Sequence, residues 1–433
     1  MEKLDYIIIG SGIAGLHTAY RLKQQGKKVL VLEKESYTGG RMSSHLINGR
    51  YIDFGAKFIG NVYKNMLPLA KELGVRPVPI PLTNAAIRKN GKFYKVDGSK
   101  KISPLFYKGI SLKAKLQIGF ATIVRLIQYR NLDLYKLENA LPLDDKSMYD
   151  DFRDFAGAEG YDHLIESFSR NVIFYGTKDL SRAAFYSMFY KLIKLKPFNF
   201  PEGIGQLCKI MAAELPVELN IKVRSVKRTP AGVEVLAVRD GKDITYEAKG
   251  AVLAVPGDKV LDLLDKPLPD EEDFLRKVRY ASTVQILCEG KTTLFDEANV
   301  LWTLPKEESS FTALGKGGAK KNSSGSITFI AALRESAFKS LREADNLNPD
   351  YLRRLIEKEF TTISDLKIIR VQIWESATPK VYPGYITSVT KFLNRPNWNN
   401  GIYFCGDYLE NPSTEGALTS SIELLRKINR ELL

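Results

Sequence analysis

The apolar run Leu-Asp-Tyr-Ile-Ile-Ile at positions 4–9 stops abruptly on Gly10-Ser11-Gly12-Ile13-Ala14-Gly15. A short, β-branched run of this kind marks a strand buried on both faces. Beyond the glycines, Ile13, Leu16, Ala19, Tyr20 and Leu22 recur at helical spacing until Gly26, so a helix is expected there. A second apolar strand is expected at 28–32, ending in Glu33. Strand, glycine turn, helix, strand and terminal acid make up the pattern of a βαβ unit that binds a dinucleotide. Gly10 permits the tight turn, Gly12 lets the backbone approach a pyrophosphate, and Gly15 lets helix and strand pack closely. The first helical turn, at Ile13 and Ala14, offers free N–H groups and a positive dipole end to the phosphates. Glu33 lies 18 residues after Gly15, in register to accept hydrogen bonds from a ribose. The unit by itself does not distinguish NAD from FAD.

The remaining composition narrows the class. A chain of 433 residues with 44% hydrophobic side chains can bury a large core and suggests two or three domains. Cys208, Cys288 and Cys405 lie far apart without a CxxC pair, which excludes a disulfide framework and fits a reducing compartment. With only His17, His45 and His163, no metal site is expected. The net charge of +14 is spread along the chain, as on a Lys-rich surface, and no nucleic-acid partner is expected. No run of 18 apolar residues occurs, and Met1-Glu2-Lys3 leads straight into a strand without a signal-peptide pattern. The expected location is cytoplasmic, with the inner membrane face as the alternative. That alternative rests on residues 111–130, a basic amphipathic helix with Leu112, Leu116, Gly119, Phe120, Ile123 and Ile127 on one side. Such a helix either lies on an anionic membrane or forms the outer layer of a globular domain, and the second is the expectation.

Glu33-Lys34-Glu35 leads into Gly39-Gly40-Arg41-Met42, and Asp53-Phe54-Gly55-Ala56 follows. Here the chain resembles the flavin amine oxidase superfamily, which includes monoamine oxidases, porphyrinogen oxidases and carotenoid desaturases. The resemblance returns at Phe200-Pro201-Glu202-Gly203, at the expected strands 223–228, 233–238 and 244–247, and at Leu253-Ala254-Val255-Pro256. It continues through Trp374…Pro379…Tyr382…Gly384 to Cys405-Gly406-Asp407 and Glu415-Gly416-Ala417 before a last helix at 418–432. It implies an α/β fold with a Rossmann-like FAD-binding domain (1–80, 198–265 and 395–433) and an interleaved α+β substrate domain (81–197 and 266–394). It also implies non-covalent FAD, since no cysteine lies near Thr378. The residues it assigns to the cofactor are Gly10, Gly12, Ile13, Ala14, Gly15, Glu33, Lys34, Gly40, Arg41, Ala56, Lys57, Val223, Gly406, Asp407, Glu415, Gly416 and Ala417. Within that set, Arg41 and Asp407 belong to the phosphate and ribityl region. Ala56 and Lys57 lie along the isoalloxazine, the main chain of Val223 meets the adenine, and the helix beginning near Glu415 points at the flavin N1/C2=O edge. Trp374 and Tyr382 are placed near the substrate face.

The chain departs from the amine oxidases at one position. Where those enzymes carry a strand lysine, this sequence has Gln285, and Lys291 comes six residues later. Glutamine cannot titrate, although it can hold a water or a substrate amide. The expectation is therefore an FAD-dependent enzyme that removes hydride from a C–N or C–C bond of a mostly apolar or aromatic small molecule, as porphyrinogen oxidases and desaturases do. Gln285, Trp374 and Tyr382 are its candidate catalytic residues, and O2 or a quinone is its electron acceptor. The alternatives are an amine or amino-acid oxidase, a sugar-nucleotide flavoenzyme, and an FAD-binding protein without turnover.

Overall fold

The computed structural model describes residues 4–80, 84–97, 106–133, 135, 137–192, 194–317, 322–323 and 325–431. Two seven-stranded sheets organise the chain. The first begins with β1 (Leu4–Ile9), helix α1 (Ile13–Gln24) and β2 (Val29–Leu32). β1 and β2 run parallel, as an intervening helix requires. Hairpin β3 (Ser44–Ile47) and β4 (Arg50–Asp53) follows, and β5 (Ile59–Gly60) and β6 (Val78–Pro79) flank helix α2 (Met66–Glu72). The second sheet opens with β7 (Asn84–Lys89) and β8 (Lys92–Asp97). A helical stretch comes next, led by α3 (Leu112–Gln128), and β9 (Pro197–Asn199) then pairs with β5 and β6.

The chain returns to the first sheet through β10 (Val217–Glu218), β11 (Lys222–Thr229), β12 (Gly232–Arg239) and β13 (Lys242–Leu253). The order is β10-β2-β1-β13-β12-β11. The strand expected at 244–247 is longer than its pattern indicates, running on to Leu253. Its start pairs antiparallel with β12, and its end runs parallel to β1. The second sheet then grows by β14 (Tyr280–Lys291), β15 (Val300–Thr303), β16 (Phe311–Lys316), β17 (Ile327–Leu333) and β18 (Ser364–Pro379). Helices α4 (Glu335–Glu343) and α5 (Pro349–Glu359) bury Phe338, Leu341, Leu352 and Ile356 against the Val284, Ile286 and Cys288 face of β14. Finally β19 (Ile402–Phe404) joins the first sheet parallel to β13, and α6 (Thr414–Glu431) packs back on α1.

β1, β2, β13 and β19 all run the same way, so their carboxyl ends meet along one edge. In an open α/β sheet that edge is where a ligand binds. No helix among the described residues is long and apolar enough to cross a membrane.

Candidate functional site

The glycine turn after β1 contains three glycines with different reasons to be glycine. Gly10 has φ +103°, and a Cβ there would stand 2.8 Å from the Ala254 carbonyl oxygen. A Cβ on Gly15 would lie 2.1 Å from the Gly10 oxygen, so this glycine sets how closely α1 and β1 pack. Gly12 has an ordinary φ of −67°, and nothing lies within 4 Å of its notional Cβ. The protein itself makes no demand for glycine at position 12, and the open space beside it is what a closely approaching pyrophosphate needs. Gly39 pairs with Gly12, and a Cβ on Gly40 would come 3.8 Å from Gly12 Cα, so the cradle is walled by backbone. No side chain caps the first turn of α1 at Ile13 and Ala14, which leaves its N–H groups available. Glu33 closes the turn, accepting from Ser11 N (2.8 Å) and Ser11 Oγ (2.6 Å) on one oxygen and from Glu35 N (3.0 Å) on the other. Lys34 is exposed and sits 3.5 Å from Glu35.

Arg41 joins three segments. Its carbonyl accepts from Ala56 N (2.9 Å), and Gly55 must be glycine because a Cβ would meet that carbonyl at 1.9 Å. Its guanidinium donates to both oxygens of Asp407, at 2.6 and 2.9 Å, and to the Ala377 carbonyl at 3.1 Å. Tyr280 completes the group, donating its hydroxyl to Asp407 (2.9 Å) while its ring lies 5.3 Å from the Arg41 guanidinium carbon. Burial opposes the Arg41 charge, and Asp407 outweighs it, holding the guanidinium above its usual range. Asp53 similarly ties the β3–β4 hairpin to the 200–205 loop, accepting from Ser44 Oγ, Asn199 Nδ2 and Ile204 N. The Lys57 amine, which donates to the Asp53 carbonyl, is pushed down to about 8 by desolvation although it retains accessible surface.

At the start of α6, a Cβ on Gly416 would clash with the Asn411 carbonyl at 2.0 Å, and Ala417 N donates to the Ser413 carbonyl. Asn411 Nδ2 is buried without a protein partner. Buried amide donors of this kind are usually satisfied, so this one suits a bound group. Gly406 is held by its N–H to Ser420 Oγ (2.8 Å). The Glu415 carboxylate is fully buried and accepts from Asn65 N, Met66 N and the Tyr135 hydroxyl. Its side chain caps α2, and desolvation raises its pKa. Val223 pairs with Ala237, and the ladder slips between Val223 and Ser225, leaving irregular main chain where the adenine contact is expected.

The substrate-side candidates separate into two places. Gln285 pairs with Gln372, and Thr283 pairs with Trp374. Alternation puts Thr283, Gln285 and Leu287 on one face of β14. On that face Leu287 packs with Ile52 and Phe54, and Trp374 donates its indole N–H to the Phe54 carbonyl (3.1 Å). Gln285 is only 4% exposed. Tyr382 stands apart: its hydroxyl donates to the Lys277 carbonyl, beyond the Tyr280–Pro379 pair that ends the β14–β18 ladder. At about 3.3 Å per residue, Tyr280 is already some 16 Å along β14 from Gln285. Tyr280, Asp53 and Arg370 were not singled out from sequence. Tyr280 and Arg370 carry no local motif, while Asp53 lay inside the Asp-x-Gly-Ala element.

A family model described as flavin containing amine oxidoreductase matches residues 13–423. A protein of Mycobacterium tuberculosis named as a flavin-containing monoamine oxidase, AofH, is 28% identical over 284 residues, 62% of this chain and 60% of that protein. The match thus spans about 60% of that relative's length. Among solved structures, putrescine oxidase superposes with a TM-score of 0.77 at 17% identity, covering 99% of both chains. A protein of Exiguobacterium named as a protoporphyrinogen oxidase superposes with a TM-score of 0.74 at 16% identity over the whole of both chains. The fold is thus a Rossmann-like FAD-binding domain with an interleaved α+β substrate domain. With the family match spanning nearly all of its length, the chain belongs to the flavin containing amine oxidoreductase family.

Proposed function

We propose that the enzyme removes hydride from a C–N or C–C bond of a mostly apolar or aromatic small molecule, in the manner of porphyrinogen oxidases and desaturases. Gly12, Gly40, Arg41, Glu33, Asp407 and the first turns of α1 and α6 would hold FAD, which when bound supplies the two-electron acceptor. Leu287, Phe54 and Trp374 would keep water from the substrate.

The observation that carries this reading is the Gln285 side chain. It is buried, and among the described residues no protein group hydrogen-bonds its amide. A side-chain amide at this place can hold a water or a substrate group. The buried stretch of β14 carries no lysine, and Lys291 stands at the strand's exposed end, paired with Asp365 at 2.8 Å. A neutral amide lacks the positive charge that a lysine would bring to the anion formed when O2 takes up an electron, and so stabilises it less. The reduced enzyme should therefore react slowly with O2 and faster with a quinone or dye.

Stopped-flow reoxidation of the dithionite-reduced protein tests this. Gln285→Lys should speed reoxidation by O2 with flavin content unchanged. Fast reoxidation of the parent, unaltered by the substitution, would remove the argument. A second reading, an amino-acid oxidase or dehydrogenase, is favoured by Arg370. It pairs with Leu287 on β14, and its guanidinium carbon lies 5.0 Å from the centre of the Phe54 ring, where it could receive a carboxylate.

A further inference from the structure

Helix α3 presents its apolar stripe to solvent. At about 100° per residue, Leu112, Leu116, Phe120, Ile123 and Ile127 fall within a sector of about 80°, and they are 71, 64, 65, 59 and 62% exposed. The buried residues of the same helix, Ala114, Ile118 and Ala121, lie on the opposite side. They are small or well fitted, and a Cβ on Gly160 would stand only 3.1 Å from Ile118. The helix lies on the outside of the fold, with its weaker face packed and its stronger one bare. Phe106, 69% exposed, and Phe155, 40% exposed, add to the bare apolar surface of this part of the fold. Exposed apolar residues in a contiguous stripe mark a docking surface.

Charge says what docks. Between Asp97 and Asp133 the sequence holds seven Lys and Arg residues and no Asp or Glu. Lys108, Lys113 and Arg130 are exposed, and Lys113 and Lys115 fall on either side of the apolar sector, where their stems can lie along it and their ammonium groups reach outward. A second copy of this chain would bring the same basic segment against itself. An anionic bilayer surface answers both features at once, burying the stripe at the acyl boundary and pairing the lysines with headgroups.

We propose that α3 docks the protein peripherally on anionic lipid, with Leu112, Leu116, Phe120, Ile123 and Ile127 in the interface and the flanking basic residues on the headgroups. This inference is independent of the reaction proposed above.

The test is flotation of the FAD-loaded full chain with vesicles of phosphatidylcholine and phosphatidylglycerol, against vesicles of phosphatidylcholine alone, at low and high salt. The protein should float with the anionic vesicles and less so as salt rises. Leu116→Ser with Phe120→Ser should weaken binding more than tenfold, given about 1.5–3 kcal/mol for burying one large apolar side chain. Lys113→Glu should weaken it at least fivefold at low salt, given about 1 kcal/mol per basic residue near such a surface. These side chains are exposed, so bound flavin and the unfolding midpoint should stay unchanged and report an intact fold. Failure of the parent protein to float with anionic vesicles at low salt would overturn the proposal. So would a dimer in lipid-free solution that the Leu116→Ser, Phe120→Ser pair dissolves, since the stripe would then belong to a second copy.

Discussion

The Arg41 guanidinium holds both oxygens of Asp407, at 2.6 and 2.9 Å, across 366 residues of sequence. The pair fastens the loop after β2 to the loop after β19, so the two ends of the chain shape one cradle. A hydrogen-bonded charge pair of this kind is worth about 1.5–3 kcal/mol per bond when one partner is removed, less here because Arg41 keeps 27% of its side chain exposed. Asp407→Asn should lower both the unfolding midpoint and the flavin retained on purification. Asp407→Asn with Arg41→Gln should cost less than the sum of the single changes in a double-mutant cycle. Strict additivity would mean that the pair does not act as a unit.

The glycine turn makes a sharper prediction, because its members differ in reason. Gly15→Ala should destabilise the fold itself, its Cβ meeting the Gly10 carbonyl at 2.1 Å. The Cβ of Gly12→Val meets no protein atom within 4 Å, so the apoprotein should keep its unfolding free energy within about 1 kcal/mol while flavin binding is lost. Absorbance of bound flavin and thermal unfolding of the apoprotein, measured on both variants, separate the two effects. A Gly12→Val protein that retains full flavin would contradict the cradle.

His17 supplies a pH dependence. Its Nε2 accepts from Arg21 Nε (3.3 Å), so its Nδ1 carries the proton and donates to Ser421 Oγ (2.8 Å), holding α1 against α6. Burial, with the Arg21 charge beside it, lowers its pKa from 6.5 to about 3. The unfolded chain takes up this proton below 6.5 while the folded chain stays neutral. Stability from this group is therefore complete above 6.5 and is lost as the pH falls towards 3. His17→Gln should be less stable than the parent at neutral pH, and the gap should narrow on acidification. Unfolding midpoints on both sides of the ordinary histidine range measure it, and a constant gap would show that His17 is not the group responsible.

Local patterns sufficed where one segment does one job. The β1–α1–β2 unit was legible from spacing, and the expected strands 223–228 and 233–238 and last helix 418–432 lie on β11, β12 and α6. β13 was not legible in full, because Gly250 reads as a break. The glycine instead makes room for the rings of Tyr6 and Tyr403, 3.2 and 3.1 Å from its notional Cβ. β18 reaches 16 residues although only Trp374 and Pro379 stand out in its sequence, since it is an edge strand with mixed exposure and no clean alternation. In the candidate site, the glycines and Arg41 stand in local motifs, whereas Tyr280 and the Arg41–Asp407 pair depend on contacts between distant segments. Glu415 stood in a recognisable motif, yet its carboxylate turned out to cap α2, a contact with Asn65 and Met66 that no spacing reveals. The periodicity of α3 defined its stripe correctly but could not say which side the rest of the fold would cover.

The most direct test of the proposed reaction is anaerobic mixing of the FAD-loaded protein with two substrate panels, while the flavin absorbance is followed and ammonia is assayed after re-aeration. One panel holds apolar and aromatic compounds with a bond to be desaturated, and the other holds primary amines and amino acids. Bleaching by a member of the first panel without ammonia release is the expected result. Rapid bleaching by an amine or amino acid, with one ammonia released per flavin reduced, would contradict the desaturase-like reading and establish the amine or amino-acid oxidase in its place.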